Sequence, residues 1–458
     1  MIRKTFYSLL ALISALLVTS ACSSSSDSNV VRTSNCAIRS FSLGQLRRIL
    51  HTTNSVGADS TYTLSFSGSL YPMVIDQLGG NITNAEPLPL GTRLDAALAT
   101  ISADGLVVYA PAADTTVWTA YSATDSINFS QPLVFRVYAY EGSGYRDYNL
   151  NLTVRQQNPA EFTWQQLTGI PEMAARTAAQ LMVMDNGVMA FSAAADGQVF
   201  CALTTETDLP QWTEQPCTGL PTDAAVRTTV AFADRFWMST AAGLLFQSAD
   251  GLTWTAVEQE NAELQVHLVA ASASALHAAI CDSRINTPLY MATSTDGQHW
   301  TPVGTEGMLS NIPSAAVAYT QANGNQRVLL AADIAGDDSA EPLHLWSLLE
   351  GSGEPWTHFT DANRSIYQLP RWQHPCLLTY NGWLVAMGDQ ATGSEHSTLD
   401  TILVSYDNGL NWRTNTYLTA PAALQGTTAV ICAATVGEYI WIMAADQLWR
   451  VRYNGFGL

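Results

Sequence analysis

Apolar and polar positions alternate along most of this chain in short runs set apart by turn residues, the pattern of half-buried β-strands. In the first part, Thr61–Phe66, Leu106–Tyr109, Leu133–Tyr140 and Tyr148–Val154 read as strands, the last with an apolar residue at every second position. Gly142-Ser143-Gly144 between the last two predicts a hairpin. Leu94–Ile101 is the best candidate for a short helix. Together these elements predict a small Ig-like β-sandwich over residues 36–157, with a boundary at Asn158-Pro159.

From Glu161 the strand pattern becomes a repeat, and the repeat is marked by tryptophan. Trp164, Trp212, Trp254, Trp300, Trp356 and Trp412 stand near the start of similar strands, and Trp449 recurs in a different setting. Ser248-Ala-Asp-Gly-Leu-Thr-Trp254 matches Ser294-Thr-Asp-Gly-Gln-His-Trp300. Ser405-Tyr-Asp-Asn-Gly-Leu-Asn-Trp412 has one residue more and completes the Asp-box pattern Ser-x-Asp-x-Gly-x-x-Trp. Such a box suits the hairpin between the third and fourth strands of a propeller blade. Its Ser and Asp bond backbone groups of the turn, its Gly takes a positive φ, and its Trp packs between sheets.

Counting strands predicts closure. Residues 178–217, 225–258, 266–303, 315–359 and 376–417 each supply four strands, whereas 427–453 supply three. The strand Phe162–Leu167 reads as an outer strand with no blade before it. All-β architecture follows: a sandwich, then a six-bladed β-propeller over residues 160–458, closed by its N-terminal strand so that no seam stays open.

The start of the chain has another character. Arg3 and Lys4 precede an apolar run from Phe6 to Val18, and Thr19-Ser20-Ala21 supplies small residues before Cys22. Residues 1–21 read as a lipoprotein signal peptide too short to span a bilayer, and Cys22 as the lipidation site. Residues 22–35, with the run Ser23–Ser28, read as a flexible tether. The expected location is the cell envelope, anchored to the outer membrane by lipid on Cys22, on its periplasmic or outer side.

Composition narrows the chemistry. The net charge is −19, and Lys4 is the only lysine, so the mature chain has none. A Schiff-base lysine is excluded, and a nucleic-acid partner is not expected. Besides Cys22 there are Cys36, Cys201, Cys217, Cys281, Cys376 and Cys432. No CxxC or Cys/His metal spacing occurs, so no metal and no cofactor are expected. Cys201 and Cys217 fall in one blade and can pair; buried small thiols are the other reading for all six.

The order of lipobox, sandwich and propeller resembles an uncharacterised Bacteroides-type lipoprotein family, domain-of-unknown-function family 6242. The resemblance is carried by Ile38–His51 (IRSFSLGQLRRILH), Asp125–Phe129 (DSINF) and Phe135–Tyr148 (FRVYAYEGSGYRDY), and covers nearly all of the mature chain. It implies the envelope of a gut-type bacterium and brings no catalytic residues. Asp-box (BNR-repeat) propellers also resemble sialidases. That chemistry needs an arginine cluster for the substrate carboxylate, a Tyr–Glu nucleophile and an acid/base Asp. The Arg-Ile-Pro element is absent, and Arg176, Arg227 and Arg235 show no spacing that marks a cluster.

Other candidates are local. His267, His277, His344, His358, His374 and His396 are scattered, and HExxH, GxSxG, P-loop and dinucleotide fingerprints are absent. Gly336–Glu341 is an acidic loop able to hold calcium or to remain a solvated insert. Ala391–Thr398 is a second polar insert, of the kind that carries binding surfaces. Trp356, Tyr367, Trp372 and Trp383 are candidates for stacking on sugars, against the alternative that they are core. No catalytic residue emerges. The expected function is a non-catalytic module that binds glycan or an envelope protein, with a sialidase-like glycoside hydrolase and an envelope assembly module as alternatives.

Overall fold

The computed structural model describes residues 34–456 except 54–58, 170–174, 186, 283–288, 306–310, 334–341, 360–368, 373–374, 389–398, 400, 425–430 and 445–446. The signal segment, Cys22 and the tether up to residue 33 lie outside the described residues. So do the loops 336–341 and 391–398, Tyr367, His374 and His396. Contacts divide the chain into two units, one ending at Asn158 and the other spanning Pro159–Phe456.

The first unit is all-β. Its largest sheet has six strands, in the order Met73–Asp76, Asn81–Asn84, Tyr145–Asn151, Leu133–Ala139, Gly105–Pro111 and Thr119–Ala120. Gln45–Thr53 pairs with Asp59–Ser67 and Thr92–Arg93, and Ile38–Leu43 pairs with Ala99–Ala103. All three sheets contribute to one core, in which Ile38, Ile82, Phe135, Val137 and Tyr148 are fully buried. The Tyr148 hydroxyl satisfies itself there: it donates to Gln77 Oε1 at 2.7 Å and accepts from the Ile38 N–H at 3.2 Å. The hairpin at Gly142 forms, with Gly142 at φ 75° and its N–H donating to Ala139 O.

Leu94–Ile101 is not a helix. Ala97 exchanges two backbone hydrogen bonds with Ile127, and the strand Ala99–Ala103 begins two residues later. Leu94, Ala97 and Ala99 are buried and Leu98 is exposed. The Ala- and Leu-rich composition favours a helix locally, but each of these apolar groups finds its core contact through strand pairing, and tertiary burial overrides propensity.

The second unit holds six four-stranded antiparallel sheets among the described residues. The first runs Arg176–Met184, Gly187–Ala194, Val199–Thr204, Thr213–Pro216, and the second Val230–Phe232, Arg235–Ser239, Leu245–Ser248, Thr255–Ala256. The third to fifth follow in the same meander over residues 264–303, 315–358 and 376–414. The sixth joins Ile431–Val436, Tyr439–Ala444 and Gln447–Tyr453, and takes its outer strand, Phe162–Leu167, from the start of the unit. First strands of neighbouring sheets touch from the second sheet through to the sixth and on to the first, and the first sheet's Arg176–Met184 closes the ring against the turn Val226–Thr228 that leads into the second.

Between each pair of neighbours lies a separate apolar cluster, six in all. The repeated tryptophan has one job in all six. Trp212, Trp254, Trp300, Trp356 and Trp412 each stand immediately before the outer strand and pack onto the sheet before. Trp164, on the outer strand of the sixth sheet, does the same against the fifth. Trp254, Trp356 and Trp412 are buried there and Trp164, Trp212 and Trp300 partly buried, so each large ring adds apolar contact between sheets.

The Ser-x-Asp turns set these rings in place. In the second sheet Ser248 Oγ accepts from the Gly251 N–H at 2.9 Å, and Asp250 Oδ1 accepts from the N–H groups of Leu252 and Thr253, both at 2.8 Å. The indole of Trp254 then donates to Gly251 O at 3.0 Å. The turns at Ser294–Trp300 and Ser405–Trp412 repeat the Ser and Asp contacts. Trp412 repeats the indole bond to Gly409 O, whereas Trp300 donates instead to Gln259 Oε1.

Candidate functional site

The described residues of the second unit form recesses that include two drawing on more than one sheet, and the linings of these two differ in kind. The first is at the centre of the ring, a cavity of about 360 Å³ to which all six sheets contribute. Its described lining mixes aliphatic residues such as Met182, Leu268, Ala316 and Ala433 with Gln180, Thr228, Thr229 and Ser314, and includes no carboxylate, tyrosine or histidine. Arg227 is the one charged group there among the described residues. Its guanidinium is spent on backbone: Nη1 donates to Ile431 O at 3.1 Å and Nη2 to Pro375 O at 2.9 Å. Arg227 thus ties the second sheet to the fifth and sixth across the ring.

The second recess is a cleft of about 470 Å³ between the third and fourth sheets. Pro302, Val303, Leu348 and Pro355 form apolar walls, and Glu350 and Glu354 bring two carboxylates. At its floor, His277 Nε2 lies 3.0 Å from Glu350 Oε1 and 3.3 Å from Ser272 Oγ. The Ser272 hydroxyl also bonds Glu350 Oε1, and accepts from the N–H groups of Ser274 and Ala275. The side chains of His277 and Glu350 are 1% and 9% exposed. Burial pushes the Glu350 carboxyl up, but the bonds from His277 and Ser272 outweigh it and leave the pKa below the usual carboxylate value. The ionised Glu350 still has one oxygen, Oε2, with no partner, as does His277 Nδ1.

These three residues do not form a nucleophile relay. Such a relay places the imidazole between serine and acid, one ring nitrogen for each. Here Ser272 and His277 Nε2 converge on the same carboxylate oxygen, and the other ring nitrogen meets neither.

Comparison with known proteins places the chain in a family. The DUF6242 beta propeller domain matches residues 158–458, and the DUF6242 N-terminal domain matches residues 41–152. The chain belongs to the DUF6242 family. Its ring of sheets is therefore the β-propeller of that family, and the cleft lies between two neighbouring sheets of the DUF6242 propeller. No curated protein matches the chain. Among solved structures it is similar to YCF48 bound to D1 peptide, with 11% identity over 65% of this chain and 82% of that one, at a TM-score of 0.36. It is similar to SapL1 lectin in complex with alpha methyl fucoside, with 10% identity over 59% of this chain and 90% of that one, TM-score 0.36. It is also similar to Trypanosoma rangeli sialidase in complex with the inhibitor DANA, with 10% identity and a TM-score of 0.39. There it covers 61% of its own length and 55% of the sialidase. Likenesses this distant carry no functional argument.

The arginines named from sequence do not converge. Arg176 pairs with Glu214 at 2.7 Å and lies over the Phe200 ring, Arg227 is in the propeller centre, and Arg235 is exposed at the start of a strand. The carboxylate-binding cluster of the sialidase alternative is therefore not formed by these three residues.

Of the aromatic candidates, Trp356 and Trp372 are core, and Trp383 is half-buried, edge-on to the exposed Tyr406 at 5.1 Å between ring centres. His267 is buried, and burial lowers its pKa. His344 Nδ1 meets His358 Nε2 at 3.0 Å, and His358 stacks on Trp346. The thiols of Cys36, Cys201, Cys217, Cys281, Cys376 and Cys432 are all free, so Cys201 and Cys217 are unpaired with each other. Among the described residues no cluster of three His, Cys, Asp or Glu side chains suits a metal ion.

The cleft itself was missed from sequence. Ser272 and His277 come from the third sheet and Glu350 directly follows the strand His344–Leu349 of the fourth, 73 positions after His277. The one available signal is Glu350-Gly-Ser-Gly-Glu354, two acids bracketing a glycine-rich turn.

Proposed function

We propose that this chain is a non-catalytic binding module of the cell envelope, held to the outer membrane by lipid on Cys22. In this reading residues 36–157 are an Ig-like sandwich, and residues 160–458 are a six-bladed propeller with Asp-box turns. The propeller offers its clefts to a glycan or to a protein. The observation that carries the binding reading is the contrast between the two recesses. The centre, where a propeller hydrolase would collect its acids and cations, has no carboxylate in its described lining and a single arginine already bonded to backbone. The peripheral cleft has the apolar walls and few fixed polar groups of a ligand site.

The soluble chain from Ser23 tests this. A glycan array and turnover of fluorogenic glycosides, sialosides included, are run on one preparation. Binding without turnover is expected, and hydrolysis at an enzymatic rate overturns the reading. The anchor is tested by Cys22→Ser in the producing cell, which is expected to move the protein from the membrane to the soluble fraction.

An envelope assembly module is the second reading, in which the propeller holds one partner protein. The acid-lined cleft favours it over a glycan role wherever the ligand proves to be cationic.

A further inference from the structure

The cleft between the third and fourth sheets carries negative charge that a cationic ligand would complement. Its described lining has two carboxylates, Glu350 and Glu354, and no lysine or arginine. Glu354 is exposed, so water can screen it. Glu350 is not: nine-tenths of its side chain is buried, its Oε1 is crowded with Ser272 and His277, and its Oε2 receives no hydrogen bond. Bonds from Ser272 and His277 already favour the ionised carboxyl, but both meet Oε1, and Oε2 is left for a cation or a strong donor.

The walls fit such a group. Pro302, Val303, Leu348 and Pro355 line the path to the carboxylates with apolar surface. Long basic side chains bury a methylene stem along apolar surface and present the charged head beyond it. Gly351 and Gly353 lie at the same rim, and there is open space where their Cβ atoms would be, so a peptide backbone can approach closely. A sugar acid would be repelled by both carboxylates, and a neutral sugar would bring no cation to Glu354 or to the free oxygen of Glu350.

We propose that this cleft binds a lysine or arginine side chain of a partner protein, stem against the Pro302–Pro355 walls and head toward Glu350 and Glu354. The proposal rests on the binding-module reading and names the ligand of its cleft. Glu350 is the buried anchor, held in register by Ser272 and His277, and Glu354 is the outer carboxylate that draws the cation in.

The test uses the soluble chain from Ser23 and two capped tripeptides, acetyl-Gly-Arg-Gly-amide and its neutral isostere with citrulline, followed by NMR or calorimetry at low salt. The arginine peptide is expected to bind and the citrulline peptide to bind at least about tenfold more weakly. Glu354→Gln, at an exposed position, is expected to weaken the arginine peptide without changing the thermal midpoint. Glu350→Gln keeps the shape and is expected to abolish binding, with folding checked by thermal melting. Equal affinity for the two peptides, or unchanged affinity in both variants, overturns the proposal. So does a folded chain that ignores the arginine peptide at millimolar concentration. Methyl glycosides that bind and are lost in these same variants overturn the cationic ligand but keep the cleft as a binding site. A glycan or partner that still binds both variants overturns this inference alone and leaves the binding-module reading standing.

Discussion

Thr163 and Asn454 are 291 residues apart, yet their side chains join, the Thr163 hydroxyl donating to Asn454 Oδ1 at 2.8 Å. Around this bond the first strand of the unit pairs with the last, from Phe162 against Tyr453 to Leu167 against Leu448. The Asn454 N–H donates to Glu161 O, and Arg450 Nε donates to Gln165 Oε1. Closure of the sixth sheet therefore rests on one strand, anchored by Phe162 in a nest of Tyr380, Trp383 and Tyr453. Phe162→Ala is expected to cost about 3 kcal/mol in urea unfolding, the usual loss for a buried phenylalanine. Deletion through Leu167 is expected to leave 447–453 as an open edge and cause self-association, visible by light scattering. A deletion variant that stays monomeric and keeps its midpoint would contradict the closure.

Gly297 separates conformational strain from packing. It has φ 74° and sits beneath the indole of Trp237 on the preceding sheet, where an added Cβ would collide with the ring. Gly142 has nearly the same φ, 75°, and nothing near its Cβ position. Gly142→Ala is expected to cost about 1 kcal/mol, the strain of placing alanine in the left-handed region. Gly297→Ala adds displacement of Trp237 at the junction of the second and third sheets and is expected to cost about 2–4 kcal/mol. Equal losses for the two variants, measured by denaturant titration, would mean that the Trp237 contact carries no weight.

How much of this could be read from the residues follows from the range of each interaction. The turn at Gly142 and the Ser-x-Asp turns are local, so spacing alone marks them. The closing strand was legible because Thr427–Tyr453 has one strand too few and Phe162–Leu167 one too many. Leu94–Ile101 misled because its composition is helical while its burial is set by Ile127, far along the chain. The direction in which each tryptophan packs, onto the sheet before, is a property of the ring and has no trace in a single repeat. The cleft was hidden for the same reason. Ser272, His277 and Glu350 are ordinary residues until two sheets are brought side by side. Arg227 looked available as a substrate ligand, because nothing in its neighbours shows that Pro375 and Ile431 carbonyls will claim it.

The Ser-x-Asp turns predict an acid limb to stability. Backbone N–H donors, chiefly those of Thr253 and Leu252, hold Asp250 below the usual carboxylate range. Asp296 is lowered by the His299 backbone N–H and then by its imidazole. Burial pushes Asp407 up, but bonds from Asn411 and Ser405 more than reverse it. Each folded pKa is depressed, so each contribution is complete above the unfolded value of about 3.9 and fades as pH falls from there toward the folded value. The thermal midpoint is expected to fall steeply below about pH 4. In the triple variant Asp250→Asn, Asp296→Asn, Asp407→Asn, the midpoint at neutral pH should be lower and the slope below pH 4 shallower. An acid limb of unchanged slope would place its origin in other carboxylates.

Buried thiols provide a reporter of sheet separation. Burial pushes Cys201 and Cys217 up to about 12, and it raises fully buried Cys432 as well. Cys201 and Cys217 sit between the first and second sheets, and Cys432 between the sixth and first. At pH 8 an exposed thiol is partly thiolate, whereas these three are almost wholly protonated and shielded. In the soluble chain from Ser23 they are expected to resist iodoacetamide until the sheets part. In guanidinium without reductant, all six cysteines of that chain should be alkylated, because each is a free thiol in the folded structure. Mass spectrometry of the labelled peptides checks both statements. Fast labelling of Cys201 and Cys217 in the native chain would show that the first junction opens readily. A pair that resists labelling even in guanidinium would be a disulfide, and would return the Cys201–Cys217 link to the fold.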